Sequence, residues 1–341
     1  MKENEQLYWQ YFGDWFDLFR SSKIRPITRK KYIEAQEQIK LLAPDMKLCD
    51  INRMKIQKLL VDYGKTHEIE TAKGFFHMVR ASLQDARYNE LIDKDPTYKL
   101  RAVSSKPHKV TRAMYLEQDE AKKLEEVMIT DDSVTGYMLS FDMRTGLRFA
   151  EILGITPEDV DENTMMLNIN KTWLYKLKNT ADFGETKNQS SKRQILLDKL
   201  SMSYIKKFMD GCGRDEPIWV KALSEENKRF KPTRTQKYAA IYQASIGKRL
   251  TKYCKEAGVP RIGIHGLRHT HACLLYNNDV SILSISKRLG HANTTTTEKV
   301  YLNLIKAKEQ KDNQAMLKAL DKLNEGGDND DQLNQENIQT Q

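Results

Sequence analysis

The sequence predicts a mainly α-helical fold with a small antiparallel β-sheet, arranged as a helical domain followed by a mixed α/β domain. Three observations carry that expectation. Apolar residues recur at helical spacing through the first hundred positions. A turn-rich basic stretch then interrupts the pattern. Beyond it helical periodicity resumes, broken by two short runs of β-branched and apolar residues. A chain of 341 residues is long enough for two domains, each with its own core.

The stretch "LYWQYFGDWFDLF" places Tyr8, Tyr11, Phe12, Trp15 and Phe19 on one face of a first amphipathic helix. Such an aromatic stripe reads either as a base-stacking platform or as a packed face, and packing is the commoner fate of large rings at this spacing. A second helix is expected from near Thr28, with Tyr32, Ala35 and Ile39 inward. A third carries Ile51, Ile56, Leu59, Leu60 and Tyr63, and a fourth Phe75, Phe76, Val79, Leu83 and Ala86. Residues 5–100 therefore read as a small all-helical domain.

Residues 101–113 follow as a linker: "RAVSSKPHKVTR" has turn formers, the bases Arg101, Lys106, Lys109 and Arg112, and no acid. Residues 114–322 form the second domain. It opens on the helical "YLEQDEAKKLEEVM", and "TMMLNINKTWLYK" and "SKRQILLD" read as strands of a short antiparallel sheet. "VPRIGI" leads into a helix bearing "HGLRH". Residues 323–341, rich in Asn, Gln and Asp, have too little apolar surface to order themselves and read as an acidic disordered tail.

Charge and cysteine usage narrow the class. Lys and Arg number 56 against 47 Asp and Glu, a net +9. The tail's five acids carry no compensating base, so residues 1–322 hold +14. Residues 221–255 alone hold ten Lys or Arg against two Glu. This balance fits a polyanionic partner, although a basic surface is by itself usually just a solvated one. Cys49, Cys212, Cys254 and Cys273 are widely spaced and form no CxxC pair, which argues against zinc ribbons and a disulfide scaffold. No leader and no apolar run of about 20 residues is found, so a soluble, cytoplasmic protein without membrane contact is expected.

Five segments carry candidate chemistry. "TGLRFAEILGI" sets Arg148 and Glu151 three apart, as an ordinary helical ion pair or as part of a site. "HGLRH" sets His265 and Arg268 at the same interval, with Leu267 free to point into a core. Two arginines from separate helices can grip one phosphate, since each guanidinium offers a planar fork of donors and stays charged. His265 and His269 also have the spacing of metal ligands. However, Gly266 stands where metalloproteases carry a carboxylate, Arg268 opposes a cation, and no acidic cluster marks a two-metal nuclease. No metal or other cofactor is expected.

"LGHANTTTTEKVY" supplies the remaining parts of a metal-free phosphate site. Gly290 ends a helix bearing Ile282, Leu283 and Leu289, His291 follows in the turn, and Thr295 with Glu298 has the spacing that opens a new helix. Tyr301 lies two turns along it. It reads either as a packed amphipathic side chain or, beside arginines and histidines that favour its phenolate, as a nucleophile toward phosphorus. Lys187 sits in what reads as a β-hairpin turn, within reach of a leaving oxygen, though spacing alone does not select it from other solvated lysines.

Taken in order, T-G-L-R-x-x-E at 145–151, T-K then S-x-R at 186–193, H-x-L-R-H at 265–269, L-G-H at 289–291 and the tyrosine at 301 resemble the tyrosine recombinases, in particular the integrases of Gram-positive phages and integrative elements. The resemblance spans roughly residues 5–310. It implies a SAM-like helical core-binding domain joined to a catalytic domain. It also implies that Arg148, His265 and Arg268 bind the scissile phosphate, Lys187 is the general acid, His291 assists at the phosphate and Tyr301 is the nucleophile. Glu151 would stand behind these groups, and His269 would be structural. The implied partners are double-stranded DNA bearing specific attachment sites, a homotetramer on two duplexes, and an accessory DNA-bending or excision factor. The implied location is cytoplasmic, associated with the nucleoid.

Two departures qualify the match. Ala150 stands where Ser is common, and the chain starts almost directly at the core-binding helices, whereas many such integrases begin with an arm-site-binding domain. A simpler recombinase or a shortened chain is therefore expected. The alternatives are a type IB topoisomerase-like enzyme and a non-catalytic DNA-binding regulator on the same fold.

Overall fold

A computed structural model describes residues 5–106, 113–176, 182–186, 189–233 and 237–291, with isolated helical positions between 313 and 321. The chain divides into two compact units, Met1–Thr111 and Arg112–Gln341. Residues 107–112 of the expected linker and residues 323–341 of the expected tail lie outside the described residues. Among the described residues no helix is long and apolar enough to cross a membrane.

The first unit is built from α1 (Tyr8–Phe19), α2 (Pro26–Leu42), α3 (Arg53–Gly64) and α4 (Ile69–Tyr88). Proline at the first position of α2 starts that helix two residues before Thr28, because its missing N–H has no partner there in any case. Asn52 caps α3 by accepting from the Lys55 amide at 3.0 Å, leaving Ile51 just outside the helix. The aromatic stripe is core: Tyr8, Tyr11, Phe12 and Trp15 are buried. Phe19 is not. It is the last residue of α1 and 55% exposed, while the buried Phe16 stacks on Tyr32 of α2 at 4.7 Å. Polar tips of the same stripe are satisfied by α4, through Tyr8 Oη with Ser82 Oγ at 2.9 Å and Trp15 Nε1 donating to Asp85 at 2.7 Å.

The second unit begins with α5 (Gln118–Thr130), α6 (Val134–Thr145) and the short α7 (Phe149–Leu153). Helix α6 is buried along most of its length, from Val134 to Thr145. Strands β1 (Val160–Asp161), β2 (Met166–Ile169) and β5 (Arg193–Leu196) form one antiparallel sheet in the order β1-β2-β5. Strands β3 (Lys171–Trp173) and β4 (Phe183–Glu185) form a second, two-stranded sheet, with the Trp173 and Phe183 rings edge to face at 5.0 Å.

One short sheet was expected, with Lys187 at a hairpin turn. Instead the strands on either side of position 187 belong to different sheets, β4 pairing with β3 and β5 with β2. The register explains β5: Ile195 pairs with Leu167, both fully sunk in the core, and the two-residue period puts Arg193 on that same inner face.

Helices α8 (Lys199–Met209), α9 (Ile218–Glu226), α10 (Gln243–Glu256), α11 (Ile264–Asn277) and α12 (Ile282–Leu289) complete the unit. Leu267 is fully buried as expected, whereas Leu283 is 54% exposed and Ile285 with Leu289 forms the inner face of α12. At 313–314, 316–317 and 320–321 the chain is helical, and Met316, Leu317 and Leu320 are exposed.

Candidate active site

Two left-handed glycines set the site. Gly146 (φ 65°) ends α6 by donating to the Asp142 carbonyl at 2.7 Å, which turns the chain so that Arg148 becomes the N-cap of α7. A Cβ on Gly146 would fall 2.5 Å from the His271 ring. Gly290 (φ 67°) ends α12 in the same way, and the His291 amide then reaches back to the Ser286 carbonyl at 3.1 Å.

Arg148 and Glu151 do pair, at the mouth of α7. The Glu151 Oε2 accepts from the Arg148 amide at 3.0 Å, and its Oε1 accepts from Arg148 Nη1 at 2.6 Å. Arg148 Nη1 also donates to Ser191 Oγ at 3.3 Å and Nη2 to the Gly290 carbonyl at 3.0 Å. Arg268, on α11, is 2% exposed and donates through Nη1 to the Gly146 carbonyl and through Nη2 to the Leu289 carbonyl, each at 2.6 Å. The two arginines thus converge on adjacent carbonyls at the end of α12, immediately before His291.

His265 and His269 lie one helical turn apart with their rings edge to face at 4.7 Å. His265 keeps an exposed edge, while partial burial and the charges of Arg268 and Arg148 hold its basicity below the usual range. Burial, then His265 and Arg268, brings His269 down to about 4. Burial, then Arg268, Arg148, Arg193 and His265, brings His291 down to about 4. These imidazoles are neutral at pH 7 and add no charge to the cluster. Lys187 and Tyr301, with the Thr295 and Glu298 of the expected helix start, lie outside the described residues.

Sequence reasoning missed three participants. Arg193 joins Glu151 from the far side, Nη2 to Oε2 at 3.0 Å, so one carboxylate that is 2% exposed stands between two guanidiniums. Burial pushes the Glu151 pKa up, but Arg193 and Arg148 outweigh it and hold the carboxyl below its usual range and ionised. The S-x-R motif marked Arg193 without giving it a task. His271, two residues beyond His269 on α11, bridges Met143 and Arg288: its Nδ1 lies 3.1 Å from the Met143 carbonyl and its Nε2 accepts from Arg288 Nε at 3.0 Å. That pattern fixes the ring as a neutral Nδ1–H tautomer, and burial with the Arg288 charge takes it to about 3. Asp142, on α6, is 2% exposed with Oδ1 lacking a hydrogen-bond partner among the described residues, and burial raises its pKa well above the usual range against the pull of Arg268. No spacing in the sequence points to it.

Arg148, Arg193 and Arg268 with Glu151 leave two net positive charges in a pocket of low dielectric. Such a pocket suits a phosphodiester, whose charge grows as a nucleophile adds.

Comparison with known proteins gives a consistent family. The model described as "Phage integrase family" matches residues 114–308, more than half the chain. The integrase of Staphylococcus phage L54a is 28% identical over 204 residues, covering 56% of this chain and 55% of that protein. A XerC-like tyrosine recombinase of Caldanaerobacter subterraneus subsp. tengcongensis is 25% identical over 279 residues, covering 76% of this chain and 69% of the other. The ICEBs1 integrase of Bacillus subtilis is 23% identical and covers 66% and 59%. The chain thus spans 55% of the phage protein's length and 59% of the ICEBs1 protein's.

Among solved structures, the Tn1549 transposon integrase in complex with transposon right end DNA superposes with a TM-score of 0.68 at 15% identity, over 90% of this chain and 99% of that one. A lambda integrase dimer bound to a COC′ core site gives 0.62 at 18% identity, over 87% and 78%. At these identities the likeness is one of fold.

Proposed function

The chain belongs to the phage integrase family, and from that footing we propose that it is a site-specific DNA recombinase of a phage or other mobile element. The observation that carries this reading is the convergence of Arg148 and Arg268, from separate elements, on the turn that presents His291. A phosphate seated against that turn meets guanidinium N–H groups from two sides and imidazole N–H groups from His265 and His291.

In the proposed reaction the Tyr301 oxygen attacks phosphorus and the bond to the 5′ oxygen breaks. The phenol proton is released, and Lys187 protonates the leaving 5′ oxygen. The product is a 3′-phosphotyrosine and a free 5′-hydroxyl. A 5′-hydroxyl from a partner duplex then reverses the step, so one phosphate ester replaces another and neither ATP nor a metal enters the balance. His269 supports His265 by packing, and Glu151 holds Arg148.

On the same reading residues 5–100 and residues 114–322 both bind the core site, and the basic linker that joins them adds charge toward phosphates. The working assembly is a homotetramer on two duplexes with specific attachment sites, open to an accessory DNA-bending or excision factor, in the cytoplasm at the nucleoid. The exposed Met316, Leu317 and Leu320 suit docking of the C-terminal segment on a neighbouring subunit or on its own.

The test is a nicked suicide duplex carrying the sequence the protein selects from a randomised pool. Wild type should become covalently linked to it, and Tyr301→Phe should bind it without linkage. An adduct in Tyr301→Phe would remove the nucleophile. Supercoil relaxation by a monomer, with no joining of two sites, would favour the topoisomerase-like alternative.

A further inference from the structure

Three consecutive main-chain carbonyls at the end of α12 each accept from a different arginine. Arg288 O takes Arg193 Nε at 2.6 Å, Leu289 O takes Arg268 Nη2 at 2.6 Å, and Gly290 O takes Arg148 Nη2 at 3.0 Å. A helix leaves its last carbonyls without partners of its own, and its C-terminal end is negative, so cations are favoured there. Two of these arginines are the proposed phosphate ligands. The third has no assigned task.

Arg193 is the one that also bridges to Glu151 from β5. Its side chain is 7% exposed, and each of its three nitrogens donates inside the protein: Nε to Arg288 O, Nη1 to Ser191 O at 2.9 Å, and Nη2 to Glu151 Oε2. The turn closes tightly upon it. A Cβ at Gly290 would lie 2.8 Å from Arg193 Nη1 and 3.1 Å from the Ser190 carbonyl, in addition to the strain of its positive φ.

We propose that Arg193 is a positioning residue that keeps Arg148 and Arg268 available to the scissile phosphate, by sharing the charge of Glu151 and by fixing the end of α12 against which both are aimed. The inference rests on the recombinase reading above.

Two physical consequences support it. Without Arg193, the buried Glu151 would draw on Arg148 alone for compensation, and the charge of Arg148 would be spent within the protein rather than on DNA. The Arg288 carbonyl would also lose its donor, freeing the residue next to Leu289 and Gly290 to shift. Arg193 further depresses the basicity of His291, so its field already reaches the phosphate side of the turn.

The test uses single-turnover cleavage of the selected suicide duplex in two forms, one with the natural scissile phosphate and one with an uncharged methylphosphonate there. Arg193→Ala should cleave the natural duplex roughly 10- to 100-fold more slowly than wild type, as for other groups one layer behind reacting atoms. Its affinity for the duplex should change less than about threefold, because all three Arg193 nitrogens are engaged within the protein rather than on DNA phosphates. On the methylphosphonate the gap between variant and wild type should close, since charge compensation is no longer needed.

Wild-type speed on the natural duplex, or an equal deficit on both duplexes, would overturn the proposal. Should Arg193→Ala fail to fold, Arg193→Lys decides by the same criterion: slowed and rescued supports it, slowed and unrescued or unslowed overturns it. A wild-type protein that links to neither duplex would remove the recombinase reading and this inference together. An active wild type beside an unaffected Arg193→Ala would remove the inference alone.

Discussion

The first unit buries Tyr8, Phe12, Trp15, Ile39 and Leu83, whereas the second unit, at its pocket, buries Arg268, Glu151 and Asp142. In the first case water leaves apolar surface, the gain is non-directional, and shape decides how well neighbours substitute for one another. In the second, the charges of Arg268 and Glu151 are held by directional donors and acceptors from several elements, and losing one partner strands a buried charge. The aromatic core is therefore tolerant and the pocket is brittle. On the proposed function the pocket also keeps Arg148 and Arg268 fixed before a phosphate arrives, which a site stabilising a developing charge requires.

The largest expected effect breaks the pocket. Arg268→Ala leaves the Gly146 and Leu289 carbonyls unpaired in the interior, and should destabilise the second unit by about 4 kcal/mol in chemical denaturation. Arg268→Lys should recover little of that, since one ammonium cannot span both carbonyls as the guanidinium fork does. Next, Phe12→Ala should destabilise the first unit by about 3 kcal/mol, and Phe12→Leu should recover most of it. Equal recovery by the two conservative variants would erase the contrast.

Acid sharpens the same contrast. Because the folded pKa of His271 is depressed from 6.5 to about 3, the folded state binds fewer protons than the unfolded chain between those values. Its contribution is complete above pH 6.5 and is lost as the pH falls toward 3. At pH 5 the loss from this residue should be about 2 kcal/mol, measurable as a smaller drop between pH 7 and pH 5 in His271→Gln than in wild type. An unchanged pH dependence in the variant would remove the buried neutral imidazole. The smallest effect is at Phe19, on the stripe by spacing yet exposed: Phe19→Ser should shift the stability of the first unit by less than about 0.5 kcal/mol.

The same difference governs what could be read in advance. Helical spacing located α1 to α4 and their inward residues, because burial of apolar side chains follows period alone. It failed at Phe19, which shares the stripe by spacing but lies at the end of α1 and is exposed. Arg148, His265, Arg268 and His291 were found as motif residues, and the described structure brings the two arginines and His291 to one turn.

Arg193 was visible only as a motif letter, since its task depends on β5 facing inward beside α12. Asp142 left no trace, because a carboxyl opposite Arg268 on another helix has no signature in spacing. The hairpin expected around Lys187 failed because the strands flanking it choose partners in separate sheets, a long-range decision that local alternation does not encode.

The central claim is that guanidinium groups from separate elements meet one phosphate beside the end of α12. The direct measurement is a structure of the protein on its selected duplex with vanadate in place of the scissile phosphate, bridging the tyrosine and the 5′ side. The account predicts Arg148, Arg268 and His265 within hydrogen-bonding distance of the equatorial oxygens, with Tyr301 at one apex. A vanadate bound elsewhere, with Arg148 and Arg268 keeping their donations to the Gly290, Leu289 and Gly146 carbonyls and making none to the ion, would contradict it.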